Sequence, residues 1–429
     1  MLLRGGMVAT FSPVGLERAD LRLDDGKVAE RGPDLDPRDG EEVVDASRCL
    51  LTPGLVCAHT HFYSALARGM PPPDVSPTNF LEILERVWWR LDRALDPDLV
   101  RLSAEAGAID ALSSGVTTVI DHHASPRAIE GSLTAVADAL SVVGLRGVLA
   151  YEVTDRNGLD DARAGIEEHR RFAPRVSDRL GLLVGAHASF TLSDGSLEGV
   201  VEAARDLGTG LHIHVAEDLA DVEDARKRGF RDPVERLFRA GALGAKTVLA
   251  HGVHLGEGAM EEIAAGGSWI VVNPRSNMNN AVGTAPFSIH PERHALGTDG
   301  IGADMLEEVR ALFFRASDSG QGLSPDAALG YLGGSQRLAG EILGPDLHSL
   351  QPGATADVAV FMYDPPTVLE AANLAAHVVF GLRTAALRRV VVAGETVWRD
   401  GACTRVHEAE SAGRFREGAA RLWGRMAGR

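Results

Sequence analysis

Lysine is nearly missing from this chain: among 429 residues only Lys27, Lys227 and Lys246 carry it. Cysteine is as scarce, with Cys49, Cys57 and Cys403 and no CxxC pair. Three thiols are too few for a disulfide framework and fit a reducing compartment. No apolar run is long enough to span a membrane. The start, MLLRGGMVATF, lacks the long apolar core and cleavage site of a signal peptide. A cytoplasmic protein is the expectation. Basic residues are outnumbered, 43 against 60 acidic ones, for a formal net charge of −17. An acidic surface argues against nucleic acid and anionic membranes as partners. It says little about a substrate, because a pocket can differ from the mean surface. Low-complexity segments are also missing.

What is present reads as a soluble α/β protein, 45% hydrophobic and 24% charged. Residues 1–52 alternate short apolar pieces with turns, at Met7–Phe11, Asp20–Leu23 and Glu42–Val44, with Asp25-Gly26 as a tight-turn signal. From Leu55 the texture changes to short apolar strands followed by helical segments. The periodicity predicts helices at Phe80–Leu95 and Asp98–Ser114, then strand Thr117–His122 and helix Ala128–Val143. It continues with strand Gly147–Val153, helix Asp160–Phe172, strand Gly181–His187, helix Ser196–Leu207 and strand Leu211–Ala216. Helical Asp218–Arg228 and Pro233–Ala240 lead to strand Thr247–Val253, helix Gly258–Ala265 and strand Trp269–Asn273. A loop rich in Asn and Ser follows, then strand Ala295–Thr298 and helix Asp304–Ser317. Eight such units over this length point to a (β/α)8 barrel with a parallel sheet. After Gln351 the strand-and-turn texture returns at Asp357–Met362, Arg389–Val392 and Glu395–Arg399. The two ends resemble each other, so residues 1–54 and 352–429 are expected to build one composite β-sandwich domain around a barrel at 55–351. The tail Glu408–Met426 has the stripe of a helix.

Barrel chemistry sits at the carboxyl ends of the strands. Strand one, LVCAHTH, ends in His59 and His61, which strand alternation puts on one face. Strand two ends in Asp121-His122-His123, strand three near Glu152 and strand four at His187. Strand five, LHIHVAE, carries His212, His214 and Glu217. Strand six supplies His251 and His254, strand seven Asn273, and strand eight Asp299. Of 15 histidines, at least six fall at these ends. Three imidazoles and a carboxylate suit Zn²⁺ or Fe²⁺, and His59, His61, His214 and Asp299 are the expected ligands, with His212 the rival. Glu217, three residues past His214, is placed to shuttle a proton from a metal-activated water to a leaving group. His187, His122, Arg68 and Asn277 are candidate substrate contacts. Trp88 and Trp89 are adjacent, so one is expected in the core and the other, Trp88 or its neighbour, on the pocket wall.

PGLVCAHTH at 53–61, HIHVAE at 212–217, AHGVHL at 250–255, NPRSN at 273–277 and LGTDG at 296–300 together resemble the amidohydrolase superfamily, in its aminohydrolase branch of cytosine, guanine and S-adenosylhomocysteine deaminases and triazine hydrolases. HFYSALARGM at 61–70, LERVWWRLDRAL at 84–95 and DHHASP at 121–126 look most like the SsnA-type aminohydrolases. The resemblance covers nearly the whole chain. It implies one metal, Zn²⁺ first and Fe²⁺ or Mn²⁺ as alternatives, on His59, His61, His214 and Asp299. It implies Glu217 as proton shuttle, His251 as the group that orients water or substrate, and Asp299 as a second proton acceptor. Members with two metals bridge them by a modified lysine at the end of strand four. Here that end is Val184-Gly185-Ala186-His187, so a mononuclear site is expected. The implied activity is deamination of a purine- or pyrimidine-like heterocycle by metal-bound hydroxide. Hydrolytic ring opening at a C–N bond and triazine dechlorination are the alternatives. A homodimer or larger assembly follows from the resemblance alone. Loss of a ligand or of the shuttle would mark a non-catalytic relative, and all six residues are present.

Overall fold

The computed structural model describes residues 1–287 and 291–428. Strands from both chain ends are hydrogen-bonded into one nine-stranded sheet. The early strands are Leu2–Phe11, Val14–Asp24, Lys27–Gly32, Val43–Asp45 and Cys49–Pro53; the late ones are Val358–Met362, Leu387–Val392, Glu395–Arg399 and Ala402–Cys403. Cys49–Pro53, which the sequence pattern does not reveal as a strand, joins the two groups. It runs parallel to Leu2–Phe11, with Leu50 opposite Met7, and antiparallel to Val358–Met362, with Pro53 opposite Val358. Leu3, Val8, Leu21, Val28, Leu51, Val358, Val360 and Val391 give this unit a core of its own.

The middle of the chain carries the parallel strands Leu55–Thr60, Val116–His123, Arg146–Tyr151, Leu180–Leu182, Val184–Ala188, Leu211–Val215, Val248–His251, Trp269–Val272 and His294–Leu296. The predicted fourth strand is broken at Leu183. Its first half pairs with Arg146–Tyr151 and its second with Leu211–Val215. Two parallel sheets therefore meet inside one strand. Bridges between Val153 and Ala186, and between Thr60 and Asp299, join them at both seams. At the second seam the backbone N–H groups of Thr298 and Asp299 both donate to the His59 carbonyl, at 2.9 and 3.1 Å. The strands thus run in a ring of eight positions, as the βα alternation requires. Val116–His123 is buried along its whole length, the mark of a strand covered on both faces.

Local chemistry sets the helix ends. Asp96 accepts from the Leu99 N–H and Pro97 opens the helix Pro97–Ser113, a favoured pairing of cap and first residue. The expected helix at Phe80–Leu95 is one continuous run to Ala94, widened by a π turn at Leu84–Trp88. The run expected as an Asn- and Ser-rich loop contains a short helix, Pro274–Asn279. A long helix, Pro325–Leu343, was not expected from the pattern. Gly330, Gly333, Gly334 and Gly340 lower its intrinsic propensity. Packing explains two of them. A Cβ on Gly334 would lie 1.9 Å from the His294 carbonyl oxygen, and one on Gly333 2.6 Å from the Ser12 Cβ. The C-terminal helix Glu408–Met426 buries Leu422 and donates from Trp423 Nε1 to the Leu66 carbonyl at 2.9 Å. It thereby braces the short 3-10 helix Phe62–Ala67 that follows the first barrel strand.

Candidate metal centre and active site

His61 and His214 define the centre. Their Nδ1 atoms lie 2.6 Å from the His122 carbonyl and 2.8 Å from the His187 carbonyl. Each ring therefore holds its proton on Nδ1 and presents a lone pair at Nε2. The two Nε2 atoms are 3.2 Å apart. Two lone pairs at that distance repel one another unless a cation sits beside them. Asp299 Oδ1 is 3.0 Å from His61 Nε2 and 3.6 Å from His59 Nε2. His59 Nδ1 is tied to His212 Nε2 at 2.8 Å, and its Nε2 is buried without a hydrogen-bond partner. Ligand atoms of His59, His214, His251 and Asp299 lie within 4.8 Å of one another, as do those of His59, His61, His122 and His214. Orphaned imidazole nitrogens converging on a carboxylate fit a divalent cation of the Zn²⁺ or Fe²⁺ type.

Electrostatics point the same way. Burial works against an imidazolium at His61, but Asp299 and Glu152 outweigh it and bring the ring up to about 9. A site that electronegative takes up a proton or a metal. Burial pushes His59 down to about 3, so it stays a neutral donor. Burial alone would raise Asp299, yet the neighbouring His59 and His61 rings hold it well below the usual carboxylate range. Its other oxygen accepts from the Ser276 hydroxyl.

Glu217 sits beside this cluster. Burial pushes its carboxyl up to about 7, against the pull of His251. Oε1 accepts from Asn280 Nδ2 at 3.3 Å, and Oε2 lies 3.7 Å from His251 Nε2. His251 in turn is fixed by Asn277, whose Oδ1 is 2.8 Å from its Nδ1. His251 and Asp299 have left-handed backbones, with φ of 76° and 53°. Non-glycine residues adopt that region rarely, and it recurs where a strand end must re-aim a functional side chain.

His61, His214, Glu217 and Asp299 line one cavity with Trp88, Trp89, His187, Glu152 and Asp92. Phe80, Leu84 and Phe190 make its apolar side. Of the expected substrate contacts, Trp88 and His187 are therefore on the wall. Three others are elsewhere. Arg68 pairs with Asp110 at 3.0 Å and its side chain is 69% exposed, because the carboxylate draws it outward into a neighbouring cleft. Asn277 is spent on His251. His122 lies under the ligand rings, stacked on His212 at 4.4 Å, with neither ring nitrogen hydrogen-bonded and Nδ1 3.4 Å from Glu152 Oε1. Both tryptophans line the cavity instead of dividing between core and wall, since the π turn adds a residue just before Trp89. Asp92 and Asn280 were missed. Asp92 reads in sequence as one more polar helix residue, and only the helix's inward face would have flagged it.

Residues 50–397 match the amidohydrolase family. The chain belongs to that family. As an amidohydrolase it is a hydrolase of carbon–nitrogen bonds. It is 31% identical to the 5-methylthioadenosine/S-adenosylhomocysteine deaminase 2 of Archaeoglobus fulgidus over 90% of this chain and 91% of the relative. It is 28% identical to the 5'-deoxyadenosine deaminase of Methanopyrus kandleri, covering 96% of both. Among solved structures it superimposes on a zinc-bound adenosine deaminase from Xanthomonas campestris with a TM-score of 0.85, 21% identity and 98% of both chains. That likeness carries the barrel fold. Among the described residues no helix is long and apolar enough to cross a membrane.

Proposed function

We propose that this amidohydrolase deaminates an amino-substituted nitrogen heterocycle, purine- or pyrimidine-like, releasing ammonia. The observation that carries the reading is the sharing of one cavity by the convergent His61 and His214 Nε2 atoms and a Glu217 carboxyl pushed up to about 7. His59, His61, His214 and Asp299 would hold one divalent ion, Zn²⁺ in first place. That ion, when bound, supplies a Lewis acid that lowers the pKa of a water toward neutrality. The remaining work falls to side chains. Glu217 takes a proton from the attacking water and hands it to the departing nitrogen, so the carbon exchanges a C–N for a C–O bond and leaves as a carbonyl. A carboxyl poised near 7 serves equally as base and acid. Asp299, held by Ser276, takes the second proton from the new hydroxyl and passes it to the ring nitrogen, so the product is a lactam and the carboxylate is restored. His251, locked by Asn277, directs its Nε2 at water or substrate.

The aminopurine nucleosides in the relatives' names favour a purine-like ring. Buried thiols at Cys49 and Cys57 support a cytosolic setting. Glu217→Gln is the direct test. It should keep its metal by elemental analysis and lose turnover by about 10²–10⁴-fold, the usual worth of a positioned acid–base group. A fully active variant would remove Glu217 from the mechanism.

A further inference from the structure

Charge is spread unevenly over the cavity wall. Asp92, Glu152, Glu217, Asp218, Asp221 and Asp299 all line it, and among the described residues no lysine or arginine does. Asp299 and Glu217 belong to the reaction and are offset by the divalent ion when it is bound. Four carboxylates remain. Asp92 has a guanidinium behind it, since its Oδ2 accepts from Arg156 Nη2. The other three pair with no lysine or arginine. Asp221 accepts from the Ala216 and Phe190 N–H groups at 2.8 and 3.2 Å, and Asp218 from the Ala220 N–H at 2.9 Å. Glu152 is 3% exposed and makes no hydrogen bond among the described residues, and its Oε1 lies 3.4 Å from Nδ1 of both His61 and His122. Arg68 does not correct the balance. It stands in the neighbouring cleft with both terminal nitrogens on Asp110, at 3.2 and 3.0 Å.

Phe80, Trp88, Trp89 and Phe190 add aromatic faces to the same wall. The Arg156 guanidinium already lies 5.2 Å from the Trp89 ring centroid, within reach of a cation–π attraction. A low-dielectric cleft lined by one sign of charge gathers ions of the other sign. An anion in it would meet like charges with no cation to pair with, which disfavours it strongly. We infer that the cavity selects its substrate by charge, taking a heterocycle with a cationic substituent ahead of a neutral one and excluding phosphate- or carboxylate-bearing rings. Asp92, Glu152, Asp218 and Asp221 set the preference. The inference rests on the deaminase reading for the ring and adds what that ring carries.

Adenines with a 2-aminoethyl, 2-hydroxyethyl or carboxymethyl group on N9 differ in little but charge, and the same groups on N1 of cytosine repeat the series. Dissociation constants on the zinc-loaded Glu217→Gln chain, which does not consume the rings, should rise in that order, by about 10- to 100-fold from ammonium to carboxylate. Asp218→Asn keeps the cap acceptor and Asp92→Asn leaves Arg156 uncompensated. In that background each should narrow the spread, as should added salt. Equal affinities across the series, tightest binding of the carboxylate, or a spread that neither variant narrows would overturn the inference. Collisional quenching reads the same field even where no ring binds. The emission lost in the Trp88→Phe/Trp89→Phe double variant should be quenched more strongly by Cs⁺ than by I⁻, and equal or reversed quenching would overturn the charge selection. The deaminase reading fails separately. Cation-selective binding and quenching without ammonia from any amino-substituted ring keep the selection and remove the deamination. Ammonia release indifferent to the charge of the substituent does the reverse.

Discussion

At the scale of single residues, the site depends on side chains that hold other side chains. Asn277 is the clearest case, because its amide oxygen fixes the His251 tautomer and leaves Nε2 bare toward Glu217. Asn277→Ala should lower kcat about 10- to 100-fold, the usual cost of removing a partner behind a site imidazole. Metal content should be unchanged, and steady-state kinetics beside elemental analysis would check both. Asn277→Asp, which keeps an acceptor at that point, should recover part of the loss. Residues of this kind mark the limit of sequence reading. His59, His61, His214, Glu217 and Asp299 were legible because imidazoles and carboxylates at successive strand ends share one rim. Asn277 was seen but given to the substrate, since NPRSN shows an amide and not what the amide faces. Arg68 was misplaced for the same reason: Asp110, 42 positions on, decides where the guanidinium goes. Asp92 gave no signal, and the arrival of both tryptophans at the cavity could not be read, because a π turn leaves no mark in hydrophobic periodicity.

At the scale of elements, the helix Pro325–Leu343 shows how packing overrides propensity. Its glycines look like breaks in the pattern, yet Gly334 admits the His294 carbonyl to a distance no Cβ would tolerate. Gly334→Ala should destabilise the fold by about 1–3 kcal/mol, the range for overpacking a rigid contact. Gly330, in the same helix, has open space where its Cβ would sit. Gly330→Ala should stabilise by about 0.4–1 kcal/mol through the unfolded chain. Chemical denaturation of the two variants gives both signs at once. The barrel strands were legible as buried apolar runs, whereas the break at Leu183 was not. That break exists because each half of the strand is claimed by a different neighbour, a matter of ring closure that local sequence does not encode. Cys49–Pro53 was missed in the same way, as its partners lie at both ends of the chain.

At the scale of the whole molecule, the two units are locked by charge as well as by apolar contact. Arg146 on the third barrel strand donates through Nε to Asp357 Oδ2 at 2.8 Å, with both side chains buried, and Asp357 Oδ1 also accepts from the Ala393 N–H. The composite sheet thus sits against the barrel wall, away from the rim where the ligands converge. The alternation of strand and helix from Leu55, and its absence at both ends, was enough to read this architecture, because each texture follows from the number of faces its strands bury. We propose that the rim is a metal-dependent deaminase site built on His59, His61, His214, Asp299 and Glu217. Ammonia release by the zinc-loaded protein, across purines, pterins, pyrimidines and triazines that carry an amine, tests it most directly. One ammonia per oxo product is expected for at least one ring, lost on chelation and restored by Zn²⁺, Fe²⁺ or Mn²⁺. Full metal occupancy with no ammonia from any ring, or turnover that survives complete removal of metal, would contradict it.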